Sequence, residues 1–102
     1  MKLPKMDIDE RKIAEIAERF EISELALFGS ILRDDFSPRS DVDLLVDFAP
    51  TAHHSYFDLM VIRTAFENFF GRHVDMVEKA GIKNPFRKQS ILSSARVVYA
   101  AH

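Results

Sequence analysis

Three groups of residues in this chain have the types and spacing to do chemistry. They are the pair Gly29-Ser30, the carboxylates Asp41 and Asp43, and the carboxylate Asp75. Gly29-Ser30 closes a short apolar run, Glu24-Leu25-Ala26-Leu27-Phe28, that reads as a buried strand, and it precedes a stretch from Ser30 to Arg33 that reads as a helical turn. Backbone N–H groups at such a junction point outward and favour an anion; glycine lets a phosphate approach closely, and serine adds a hydroxyl. Alone, a Gly-Ser pair is more often just a turn. Asp41 and Asp43 flank Val42, and residues two apart on a strand point the same way, about 6.5–7 Å apart. Two carboxylates on one face repel each other. A divalent cation resolves that repulsion, and hard oxygen ligands suit Mg²⁺. Alone, Asp-x-Asp reads as the polar outer face of an edge strand. Asp75 lies between Val74 and Met76, and a carboxylate inside an apolar strand is costly to bury without a partner. If its strand neighbours that of Asp43, the three carboxylates form a cage; otherwise Asp75 faces solvent.

The elements that must position these groups can be read along the chain. The first six residues read as a loose end. Asp7 with Glu10 resembles a capping box, and Ile8, Ile13, Ile16, Ala17 and Phe20 recur at helical spacing, which predicts a helix over 8–20. Residues 34–40 (DDFSPRS) form a loop whose length suggests mobility near the site. Residues 41–48 alternate as a strand, with Val42, Leu44, Val46 and Phe48 on one face and Asp41, Asp43, Leu45 and Asp47 on the other. A helix over 55–70 follows, its inner stripe drawn from Phe57, Met60, Val61, Ala65 and Phe69, with Gly71 as its C-terminal cap. Residues 73–78 make a third strand, Asn84-Pro85 opens a helix over about 86–95, and 97–99 is a last strand or a helical tail. The resulting order, α-β-β-α-β-α, implies an α/β or α+β fold: a mixed sheet with helices packed on it.

Length and composition narrow the classes. The chain has 102 residues, 47% hydrophobic and 29% charged, which suits one globular domain spanning 1–102. It has no Cys, so disulfides, thiolate nucleophiles and Cys-based zinc sites are excluded. No run is long enough for a membrane span and the N-terminus lacks a signal-peptide core, so the expected location is the cytoplasm. A net charge of −2 gives no indication of nucleic acid as a partner.

Taken together, Gly29-Ser30, ten intervening residues and Asp41-Val42-Asp43 resemble the G-S-x(10)-D-x-D motif of nucleotidyltransferases with the DNA polymerase beta-like fold. Leu27-Phe28 upstream, Arg33, Ser40 and Leu44-Leu45-Val46 agree with it, and Gly71 to Val77 looks like the segment bearing the third carboxylate. The resemblance covers roughly residues 22–100, and the size is similar to the minimal nucleotidyltransferases, many of which are the antitoxin half of pairs with a HEPN-domain toxin.

That resemblance implies an enzyme moving AMP from ATP to a hydroxyl, with a tyrosine of a HEPN toxin as acceptor. It implies two Mg²⁺ held by Asp41, Asp43 and Asp75, with Asp75 also able to take the acceptor's proton, and phosphates held by Gly29, Ser30 and Arg33. The chain departs from the family at Ile31, where many relatives have a basic residue, and at Asp34, where Gly is common. The first weakens phosphate contacts and the second adds negative charge. Lys79, Lys83, Arg87 and Lys88 form a basic stretch that reads as a solvated face or a contact to triphosphate. His53 and His54 read as surface residues and His73 as a strand-edge residue. Two alternatives stay open: a non-catalytic antitoxin acting by contact, and a small-molecule nucleotidyltransferase, which usually needs a further domain to hold its acceptor.

Overall fold

The structure, a computed structural model, describes residues 2–3, 6–33 and 36–101. A four-stranded sheet organises it. Its strands are β3 (Ile22–Phe28), β4 (Val42–Phe48), β5 (Val74–Glu78) and β6 (Arg96–Ala100), in the spatial order β5-β4-β3-β6. β3 runs antiparallel to both β4 and β6, while β5 lies parallel to β4. A parallel neighbour needs a long crossover, and α2 (Tyr56–Phe70) supplies it. α1 (Glu10–Arg19) precedes the sheet and α3 (Pro85–Ser94) lies between β5 and β6. The mixed sheet flanked by helices is the expected α+β arrangement, and the tail at 96–100 is strand. No helix among the described residues is long and apolar enough to cross a membrane.

The sheet buries both faces unequally. Val42, Leu44, Val46, Leu25, Leu27 and Val74 join Ile13 and Ala17 of α1 and Ile62, Phe66 and Phe70 of α2 in the larger core. On the opposite face, among the described residues, a small cluster of Ala26, Leu45, Ile82 and Ile91 is buried. Alternation in β4 therefore separates a packed face from one where Asp43 and Asp47 remain half-exposed.

Four expectations are corrected. The start of the chain is not a loose end: Lys2–Leu3 (β1) and Met6–Asp7 (β2) pair antiparallel. The cap of α1 is Asp9, not Asp7; its carboxylate accepts from the N–H groups of Arg11 and Lys12 at 3.1 and 3.3 Å. Asp7 is held in β2, too early to reach the first turn. The stripe expected for α2 is rotated. Ile62, Phe66 and Phe70 are its buried residues, while Phe57, Met60 and Val61 are exposed. This helix is apolar on both sides, so two stripes at helical spacing coexist and packing on the sheet selects one. The ends of α2 are as read: Ser55 and Asp58 form a reciprocal capping box, and Gly71 closes it in the left-handed conformation at φ 69°. Fourth, His54 is not a surface residue; its Nε2 lies 2.7 Å from the Phe20 carbonyl and its ring packs on Phe48.

Because Asp9 satisfies two of the unpaired donors that begin α1, Asp9→Ala is expected to cost about 1 kcal/mol of unfolding free energy. Asp7→Ala should leave α1's cap intact and cost less. Urea denaturation of the two variants measures the difference.

Candidate functional site

The site is built around Asp43. Antiparallel pairing sets Phe28, the last residue of β3, beside Asp43. Parallel pairing sets Asp75 beside Asp43 on its other side. With strands about 4.8 Å apart, Phe28, Asp43 and Asp75 form a row roughly 10 Å wide. Asp41 immediately precedes β4. The register thus sets Asp75 beside Asp43, with Asp41 two residues before it; the strands are neighbours, yet Asp75 is exposed and the expected three-carboxylate cage is not closed.

At the end of the row the chain turns. Gly29 has φ +75°, a conformation that favours glycine. A Cβ there would collide with the Asp43 carboxylate, whose Cγ would lie only 3.0 Å away. Conformation and close approach both demand glycine. Gly29–Leu32 forms the expected helical turn, of 3₁₀ type. The Ser30 N–H donates to the Asp43 carboxylate, and its hydroxyl donates to the Asp41 carbonyl at 3.5 Å. Arg33 follows the turn, and its positive charge also acts on Asp43.

The electrostatics of Asp43 follow from this setting. Partial burial raises its pKa most, followed by repulsion from Asp75 and then Asp41. Arg33 and the Ser30 N–H pull it down, without reversing the shift. The donor set is chemically right for a hard cation, which would relieve the repulsion on Asp43. The side chains are not drawn into a finished cage: among the described residues, no three Asp, Glu or His groups gather tightly enough to hold an ion.

The supports of Asp41 and Asp43 were only partly visible in the sequence. Nδ1 of His73 lies 3.4 Å from an Asp41 carboxylate oxygen, and its Nε2 lies 3.8 Å from Glu67. Arg72 holds the segment leading into Asp41. Its guanidinium donates to the carbonyls of Ser37 and Ser40 at 2.9 and 3.2 Å and lies 4.5 Å above the ring of buried Phe36. Residues 36–40 are thus fastened to Arg72 through two carbonyls and one ring contact; Asp34 and its added charge lie outside the described residues. Ile31 is buried in the larger core, so it faces away from any phosphate and its departure from the family pattern is one of packing.

None of the basic stretch lines the cleft beside Gly29. Lys79 pairs with Asp47 at 4.0 Å, and the cleft beside Gly29 is instead lined by Arg33, Phe28 and Leu32 with Ser90, Ile91 and Ser94 of α3. This cleft, of 420 Å³, adds Ser90 and Ser94 to the candidate residues. No sequence signal marked them, because the approach of α3 to the turn is a tertiary event. A larger groove of 760 Å³ lies between α1 and α2, away from the carboxylates.

Asp43 sets a pH dependence. Its folded pKa lies above the ordinary 3.8, so the proton is bound more tightly in the folded state. The associated stability is present below about pH 4 and is lost as pH rises through the folded value. In metal-free buffer, Asp43→Asn should therefore melt higher than the parent at pH 7, with the gap closing as pH falls below about 4. Melting temperatures across that range test it.

Comparison with known proteins agrees with this geometry. The model of the nucleotidyltransferase domain family matches residues 10–98. Protein adenylyltransferase MntA of Thermococcus cleftensis is 35% identical over 74 residues, covering 72% of this chain and 73% of that protein. A toxin–antitoxin structure with AMP-PNP superposes with a TM-score of 0.73 at 18% identity, over 92% of this chain and 75% of that one. A tri-AMPylated Shewanella oneidensis HEPN toxin in complex with an MNT antitoxin matches with a TM-score of 0.64 at 18% identity, over 90% of this chain and 70% of that one. At such identities the solved structures establish the fold, whereas the family match and the identity to MntA establish kinship. The chain belongs to the nucleotidyltransferase domain family and is a nucleotidyltransferase.

Proposed function

We propose that the chain transfers AMP from ATP to a tyrosine hydroxyl of a HEPN-domain partner and acts by this modification as an antitoxin. The observation that carries this is the row across three strands: a glycine-serine turn at one end, Asp43 in the middle, Asp75 at the other. The kinship with MntA, named as a protein adenylyltransferase, supports a protein as acceptor. So does the fold likeness to an antitoxin found with an AMPylated HEPN toxin.

The backbone at Gly29 and the Ser30 hydroxyl hold the β- and γ-phosphates, and Arg33 adds a cation beside them. The acceptor hydroxyl oxygen bonds to the α-phosphorus as the bond from that phosphorus to the bridging oxygen breaks. Pyrophosphate leaves on the turn's side, and the hydroxyl proton passes to the Asp75 carboxylate and on to solvent. Asp41, Asp43 and Asp75 would hold Mg²⁺, which supplies charge neutralisation for the reacting oxygens when bound. That charge would stabilise Asp43, whose ionised form is disfavoured in the bare site. A reaction fed by ATP belongs in the cytoplasm, where we place it.

The test mixes the purified protein, labelled ATP, Mg²⁺ and the product of the adjacent gene. Label should move to a tyrosine of that product. Asp43→Asn should cut transfer by roughly 100-fold or more, the scale of losing one group that stabilises transition-state charge. Transfer undiminished in Asp43→Asn would overturn the role given to this carboxylate, and protection against the partner with no transfer at all would overturn the reading in favour of contact alone.

A further inference from the structure

One peptide unit joins the segments that carry the three carboxylates. It lies between His73 and Val74. Its carbonyl, on His73, accepts from the Val42 N–H at 3.0 Å. Its N–H, on Val74, donates to the Glu67 carboxylate at 3.1 Å. Val42 separates Asp41 from Asp43, and Val74 immediately precedes Asp75. The backbone that places Asp75 is thus tied on one side to the Asp-Val-Asp segment and on the other to α2.

The two partners differ in kind. The carbonyl is satisfied by β4, the neighbouring strand. The N–H points the opposite way, where no strand lies beyond β5 among the described residues, because β5 is the outermost strand of the sheet. Val74 is wholly buried, and a buried N–H without an acceptor is costly. A side chain has to supply that acceptor, and Glu67 does so from the outer half of the crossover helix.

The same Glu67 oxygen lies 3.8 Å from Nε2 of His73, whose Nδ1 lies 3.4 Å from the Asp41 carboxylate. Glu67 therefore reaches Asp75 through the backbone and Asp41 through one ring. These contacts do not make an ion site of their own: among the described residues, no three Asp, Glu or His side chains gather tightly enough. What Glu67 can do is hold other groups in place. Removing a group that orients metal-binding residues commonly costs roughly 10–100-fold in metal affinity or activity.

We infer that Glu67 is a positioning residue for the carboxylate row. By holding the Val74 N–H it sets the start of β5, and with it the place of Asp75 beside Asp43; through His73 it braces Asp41. This rests on the reading above in which the three carboxylates hold a divalent cation.

Glu67→Ala, Glu67→Gln and Asp9→Ala are compared with the parent. Glu67→Ala removes the acceptor, whereas Glu67→Gln keeps an oxygen for the Val74 N–H. Asp9→Ala removes the cap of α1 and serves as a control for lost stability alone. The readouts are affinity for Mn²⁺, a carboxylate-seeking cation standing in for Mg²⁺, from the EPR signal of the free ion without nucleotide; kcat and acceptor KM for label transfer; and melting temperature. Glu67→Ala should weaken Mn²⁺ binding and lower kcat by about tenfold or more, with acceptor KM within about twofold of the parent. Glu67→Gln should stay within about threefold of the parent in both, and Asp9→Ala should melt lower with Mn²⁺ affinity unchanged. Should Glu67→Ala fail to fold, Glu67→Leu replaces it. Parent-like Mn²⁺ affinity and kcat in Glu67→Ala, or an equal loss in Glu67→Gln or Asp9→Ala, overturns the positioning role and leaves the cation site standing. A parent protein that binds no Mn²⁺ overturns the cation reading, and the positioning role with it.

Discussion

Asp43 lies between Phe28 on β3 and Asp75 on β5, and the whole site depends on that pairing. A one-residue slip of either strand would turn its side chains to the other face of the sheet. A slip of β5 would bury Asp75 in the core and expose Val74, which is wholly buried. The apolar residues that alternate with the carboxylates therefore protect the register. Val42 and Leu44 on β4, and Val74 on β5, anchor the larger core so that Asp43 and Asp75 are held side by side on the thinly covered face. The core's packing energy is what keeps two like charges adjacent.

That adjacency works against the fold's own electrostatics. Burial and two neighbouring carboxylates disfavour the charge on Asp43, and one N–H and one guanidinium offset this in part. Sites that do chemistry commonly retain such perturbed groups at some cost to stability. The surrounding framework supports them by fastening the backbone instead of neutralising the side chains. Arg72 ties residues 36–40 through two carbonyls, and His73 reaches Asp41 and Glu67. Glu67 in turn accepts from the Val74 N–H at 3.1 Å, linking α2 to the start of β5. A chain of polar contacts thus runs from α2 through β5 to the segment that carries Asp41.

α2 serves two ends at once. Ile62, Phe66 and Phe70 bury one side against the sheet, while Phe57, Met60 and Val61 leave the other apolar and uncovered. A helix needed only for its crossover would carry polar residues on its outer side. The same helix therefore makes the crossover and leaves an apolar outer side, from Phe57 to Val61, uncovered.

The sequence by itself determined the local pieces. The alternation of β4, the Ser55 and Gly71 ends of α2, the Asn84-Pro85 start of α3 and the spacing from Gly29-Ser30 to Asp43 were all legible. Each is governed by neighbours within a few residues, or by a motif of fixed length. Tertiary structure decided the rest. Asp75 joins Asp43 only because β5 pairs parallel to β4, which no local pattern specifies. The buried side of α2 was misread because its two apolar stripes are equivalent until a sheet covers one. Asp9 displaces Asp7 as the cap because Asp7 is already paired in β2, and Ser90 and Ser94 reach the Gly29 cleft because α3 packs against the sheet's open face. Short-range physics shows which residues could act; long-range packing chooses which of them meet.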